Sequence, residues 1–212
     1  MWYGQKMKIE LKDIAKRYRF EWVLRGVHLK LQTGKNYAIT GPNGSGKSTL
    51  LKILSGHLTP SKGKIHFSFN EKPLPSDQIY QHLSYPAPYI DLIEEFTLLE
   101  ALQFHQNFKP FLGNQNPKSI IDLLGFKKAQ DKPIRYFSSG MKQRLKLALA
   151  ICSDTNLLLL DEPTATLDRQ GVEWYQSLIR EFAGNRLVIV ASNVEEDFFF
   201  CEERVNILDF KK

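Results

Sequence analysis

Apolar and polar side chains alternate strictly around Val27, Leu29 and Leu31, with His28 and Lys30 between them. A period of two predicts a half-buried strand, ended by Thr33-Gly34. "MKIELKDIAKRYRF" alternates more loosely and reads as early strands, and "KIHFSF" reads as another. "NYAIT" predicts a short strand that runs into a glycine-rich loop. Beyond the loop, Leu50, Leu51, Ile53 and Leu54 predict a helix with one buried side, ending near Gly56. Residues 70–91 contain Pro73, Pro75, Pro86 and Pro88 and read as loop. From Leu92 to about Phe108 the pattern is helical and aromatic, and "PKSIIDLLGF" predicts a short helix closed by Gly125. Met141, Leu145, Ala148 and Cys152 put one apolar face on a further helix. Leu157–Leu160 is a continuous apolar run between Asn156 and Asp161, and its length and flanks favour a fully buried strand. "RLVIVAS" and "VNIL" complete the strands. There is no internal repeat. Strands alternating with helices, around a mostly helical block at about 89–153, predict an α/β sheet core with a helical insertion.

Composition narrows the class without choosing a function. A chain of 212 residues, 42% hydrophobic and 25% charged, suits a single globular domain with room for a subdomain. No apolar run approaches the ~20 residues of a membrane helix. The first residues lack an apolar core, so no secretory signal is expected. Cys152 and Cys201 imply neither a disulfide framework nor a zinc site, and a reduced cytoplasmic setting fits them best. The net charge of +6 permits acidic partners such as nucleotides, anionic lipid headgroups or nucleic acid. The basic clusters "KKAQDK" and the terminal "KK" are small, as on solvated helix ends.

The loop carries the chemistry. Gly41, Pro42, Asn43, Gly44, Ser45, Gly46, Lys47, Ser48 and Thr49 match G-x-x-x-x-G-K-[ST]. A phosphate chain needs several N–H donors converging on it, and a helix N-terminus supplies them with a favourable dipole. Glycines allow the tight curl. Lys47, expected to be exposed at the loop, neutralises β- and γ-phosphate charge, and the Ser48 hydroxyl can ligate Mg²⁺. "LLLLDEP" places Asp161 and Glu162 at the C-terminal end of a buried strand, where ligands sit in open α/β sheets. Asp161 is the candidate Mg²⁺ holder and Glu162 the group that polarises an attacking water. Ahead of that strand, Phe137-Ser138-Ser139-Gly140-Met141 and Gln143-Arg144 open an apolar helix, a second N-terminus able to take an anion.

With these motifs in this order, the chain resembles the ATP-binding cassette (ABC) ATPases over nearly its whole length. The resemblance implies a P-loop NTPase: a RecA-like sheet core, an antiparallel β subdomain and an inserted α-helical subdomain, in one cassette over residues 1–212. It implies that Tyr18, in "IAKRY", stacks on adenine. Ser138 and Gly140 then serve the nucleotide of a partner cassette, and Asp168, in "TATLD", acts across the dimer. "EERVNIL" matches the closing strand region. Two positions depart from the family pattern: Asn193 stands where a histidine usually contacts the γ-phosphate, and Pro88 where a glutamine usually stands near Mg²⁺. Gln78 and Gln81 lie too early to replace it. Asn193 is therefore counted with Glu162 and Lys47 among the candidate catalytic residues.

The function implied is an ATP-binding, ATP-hydrolysing transporter subunit, peripheral on the inner face of the membrane. It would pair with a second cassette, as homodimer or heterodimer, and drive a separate permease subunit docked near Tyr89, Phe96, Phe104, Phe108 and Phe111. Direct nucleic-acid binding is not expected. Two other classes remain: a soluble ABC ATPase acting on nucleic acid or ribosomes, and an ATP-dependent dimerisation module that hydrolyses slowly because of Asn193 and Pro88.

Overall fold

The computed structural model describes residues 5–86 and 91–211. They form two compact units, one of 5–85, 156–162 and 185–211, the other of 86, 91–155 and 163–184.

The first unit holds two sheets. In the antiparallel one, β1 (Met7–Tyr18) and β2 (Glu21–Gln32) form a long hairpin, and β4 (Lys62–Phe69) and β5 (Lys72–Leu74) extend it in the order β2-β1-β4-β5. Met7, Ile9 and Leu11 alternate with Lys8, Glu10 and Lys12, so one face is buried and the other solvated. The parallel sheet has the order β6-β7-β8-β3-β9, built from β3 (Asn36–Thr40), β6 (Leu83–Ser84), β7 (Leu157–Asp161), β8 (Leu187–Ala191) and β9 (Glu203–Asn206). Every residue of β7 and β8 is buried, as expected for central strands of a parallel sheet. Helix α1 (Lys47–Leu54) buries Leu50, Leu51, Ile53 and Leu54.

The second unit is helical, with α2 (Leu98–Phe108), α3 (Pro117–Leu124), α4 (Ser139–Ile151) and α5 (Arg169–Phe182). The sequence fixes the ends locally. Asn116 caps α3 by accepting from Lys118 N and Ser119 N, Pro117 opens it, and Gly125 closes it at φ 71°, a left-handed conformation. Arg144 on α4 lies between the Phe126 and Trp174 rings, with centroids at 5.1 and 4.6 Å, and donates to Leu124 O at 2.9 Å. That one guanidinium ties α3, α4 and α5 together.

Four local expectations change. The helix expected from Leu92 starts only at Leu98, because Thr97 and Glu100 form a capping box. The expected loop at 70–91 contains β5, a 3-10 turn at Ser76–Gln81 and β6, all too short to show a period. In "VNIL" the strand stops at Asn206, whose side chain accepts from Leu208 N and turns the chain into a 3-10 helix. Helix α5 was not anticipated, although Tyr175, Leu178, Ile179 and Phe182 have helical spacing and are buried.

His105 gives the helical unit a pH dependence. Its Nε2 is 2.7 Å from Ser153 Oγ, and its ring stacks on Phe111 with centroids 5.6 Å apart. Burial, with the nearby Lys109 charge adding to it, pushes its pKa from 6.5 down to about 4. Below pH 6.5 the unfolded chain takes up a proton that the folded protein refuses. This contribution to stability is therefore intact above pH 6.5, falls between pH 6.5 and 4 by about 3 kcal/mol, and is flat below. Urea unfolding across that range should show the loss, and His105→Gln should remove that part of it.

Candidate functional site

Strands β3, β7 and β8 run parallel and finish level. Ile39 and Asp161 both pair with Ala191. The segments that leave them therefore emerge at one edge: the loop from Gly41, Glu162, and the bend at Ser192–Asn193. Glu162 N donates to Ala191 O at 2.9 Å and Ser192 N to Ile39 O at 3.1 Å, which ties the three exits together.

The loop needs its glycines. Gly41 has φ 143°, and a Cβ there would lie 2.6 Å from Ile207 Cγ2; Gly46 has φ 107°, and a Cβ there would lie 2.9 Å from Val23 Cγ1. Pro42, Asn43, Gly44 and Ser48 are exposed, Thr49 is half-buried, and Ser45 is buried. Lys47 departs from expectation. It is only 4% exposed, because its ammonium folds back to donate to Gly41 O at 2.9 Å and Pro42 O at 3.3 Å. Its Nζ is 3.7 Å from Glu162 Oε1.

Ser48 Oγ donates to Asp161 Oδ1 at 3.1 Å, and Tyr85 OH donates weakly to Oδ2 at 3.5 Å. Burial raises the Asp161 pKa; the Ser48 hydrogen bond opposes this, the Glu162 charge adds to it, and Lys47 and Tyr85 oppose it. Glu162 has φ 44°, a left-handed conformation unusual for a side chain of its size. Such strain concentrates at functional positions. Asn193 is exposed just past β8. Ser192 holds that bend, donating to the buried Asp197 Oδ2 at 2.5 Å and accepting from Val194 N at 3.0 Å. Tyr18 is 44% exposed at the end of β1, with Lys16 Nζ 5.4 Å from its ring centroid.

The remaining candidates lie in the helical unit. Ser138 is the exposed N-cap of α4 and accepts from Met141 N at 3.2 Å. Asp168 is the N-cap of α5 and accepts from Gly171 N at 2.8 Å. A Cβ on Gly140 would lie 3.6 Å from Thr166 O, so the start of α4 and the segment leading to α5 approach closely. Among the aromatic candidates, Phe104 and Phe108 are 45% and 72% exposed, whereas Phe111 is buried in the core of this unit. Pro88 and Tyr89 lie outside the described residues. Sequence reasoning missed Tyr85, Ser192 and Asp197, whose roles come from contacts that no local pattern announces.

These residues fit a phosphate and a hard cation. Helix α1 starts at Gly46 with no side-chain cap and no acidic residue in its first turn, so its first amides keep their donors for an anion. The buried Ser45 Oγ has no protein partner. Ser48 and Asp161 supply two oxygens 3.1 Å apart. Mg²⁺ takes one or two protein oxygens and completes its shell with phosphate and water, so this pair is enough for it.

The family model described as "ABC transporter" matches residues 24–165. This chain belongs to the ABC transporter family. The cassette is 32% identical over 191 residues to the lantibiotic transport ATP-binding protein SrtF of Streptococcus pyogenes, covering 87% of this chain and 79% of that protein. It is 29% identical over 184 residues to the ABC transporter ATP-binding protein YcbN of Bacillus subtilis, covering 85% of this chain but 60% of that longer protein. Its fold matches a dimeric bacterial ABC transporter cassette with a TM-score of 0.77 at 24% identity, over 93% of each chain. ATP-binding subunits of this family are ATPases, and the cassette is one of them.

Lys47→Ala should weaken ATP binding by about tenfold or more, the worth of a lost charge-assisted contact. Isothermal titration of both proteins checks it, and equal affinities would contradict the assignment of the loop.

Proposed function

We propose that the cassette binds Mg²⁺-ATP at the edge formed by β3, β7 and β8, closes around it with a second cassette, and drives a separate permease subunit from the inner face of the membrane. The observation that carries this is the uncapped start of α1 beside Lys47, Ser48, Asp161 and Glu162. The α1 amides and Lys47 hold the phosphates. Ser48 and Asp161 hold Mg²⁺, which supplies positive charge at the phosphoryl oxygens. Glu162 orients and polarises the attacking water. Tyr18, 44% exposed, stacks on the adenine. Ser138, Gly140 and Asp168 face the partner's nucleotide, while the Ser138 and Asp168 side chains also cap their own helices. The exposed Phe104 and Phe108 support a permease dock on α2. Among the described residues no helix is long and apolar enough to cross a membrane, which fits a separate membrane subunit.

Glu162→Gln should bind ATP, stop hydrolysing it and accumulate as a dimer. Adding Ser138→Arg should abolish that dimer by bulk and charge. Light scattering with ATP decides it: a variant that stays monomeric at high concentration opposes the sandwich.

Asn193 favours slow turnover. Its amide can donate one hydrogen bond but cannot become a cation as a histidine can. Losing one charge-stabilising donor typically costs about 10²–10³ in rate. Asn193→His should raise steady-state phosphate release by a homodimer. Brisk wild-type turnover, unchanged in the variant, would show that Asn193 already suffices.

A further inference from the structure

Charge is distributed unevenly along the chain. Residues 5–74 hold fourteen lysines and arginines against four aspartates and glutamates, while residues 75–212 hold fifteen against nineteen. The excess falls on the antiparallel sheet. Its buried face is apolar, and Lys8, Lys12, Lys30 and Lys64 are exposed on the other. Glu10 is the one carboxylate serving three of them, at 3.1 Å from Lys8 and 3.7 Å from Lys12 and Lys30. Lys12 stands directly opposite Lys64 in the β1–β4 register. Like charges placed opposite each other weaken a sheet, so this face is not arranged for stability alone.

The turn end of the β1–β2 hairpin continues the pattern. Arg17, Arg25 and Lys62 lie 5.4, 5.5 and 5.4 Å from the Trp22 ring centroid. None of the three forms an ion pair among the described residues. Beside them, at the turn, Phe20 is 96% exposed.

We propose that this sheet face and hairpin tip dock directly on an anionic lipid surface, with Phe20 entering the headgroup region. Charge complementarity identifies an anionic partner. Two observations favour a bilayer over nucleic acid. The cations of the face are lysines, point charges suited to diffuse attraction toward headgroups rather than bidentate recognition. Sheets that bind single strands stack bases on aromatic rings of the face, but the exposed positions of β1, β2 and β4 around Glu10 carry no Phe, Tyr or Trp; the exposed ring is at the tip, where it can act as a wedge. The choice of lipid rests on the membrane-peripheral reading above, while the contact itself needs no permease.

Co-sedimentation of the whole chain with phosphatidylcholine vesicles, with and without phosphatidylglycerol, tests this. The protein should sediment with the anionic vesicles only and be released as salt rises. The double variant Lys12→Glu, Lys64→Glu should lower partitioning by more than about tenfold, and Phe20→Ser should lower it at every salt concentration. ATP titration of each variant should match wild type, which separates lost lipid contact from lost folding. Wild type that binds ATP but does not sediment with the anionic vesicles would overturn the lipid proposal alone; wild type that sediments with them but binds no ATP would overturn the nucleotide reading alone. Equal sedimentation with neutral vesicles, variants that bind like wild type, or tight binding of a single-stranded oligonucleotide without anionic vesicles would also overturn the proposal.

Discussion

Asp161 ends a strand made otherwise of leucines, and burial there works against its charge. A buried carboxylate must be paired or hydrogen-bonded, or it takes a proton. Its neighbours meet that demand from different parts of the chain: Lys47 and Ser48 from the first turn of α1, Tyr85 from the segment after β6. The same contacts bring phosphate donors and cation-holding oxygens to one edge. Stability and chemistry thus impose the same geometry, since the groups that oppose the effect of burial on Asp161 are those that would meet Mg²⁺-ATP.

Parallel pairing turns this local arrangement into a site. Because β3, β7 and β8 finish level, three segments distant in sequence leave the sheet together. The all-buried strands behind them anchor the edge, while at the exit from β7 Glu162 is held at φ 44°, a left-handed conformation. Ser192 and Asp197 extend the same economy to the third exit, holding the bend that presents Asn193.

Much of this was legible in the sequence where one stretch of chain settles the matter. The Gly41–Thr49 spacing, the leucine run before Asp161 and the Gly125 stop each express a backbone requirement locally, and each element formed where expected. What could not be read depends on partners far away. The fold-back of Lys47 needs the Gly41 and Pro42 carbonyls in their curled conformation. Tyr85 reaches Asp161 across 76 positions. Ser138 and Asp168 look like ligand contacts in sequence, yet each hydroxyl or carboxylate also has the ordinary work of capping its helix. Helix α5 was legible in its apolar spacing, and was obscured by the charged residues that cover its other face.

The central claim is that Asp161 and the start of α1 form one site for a cation and a phosphate chain. Titration of ATP with and without Mg²⁺ into wild type and Asp161→Asn tests it most directly. Mg²⁺ should tighten ATP binding to wild type and leave binding to Asp161→Asn nearly unchanged. Equal strengthening by Mg²⁺ in both proteins, or none in wild type, would contradict the account.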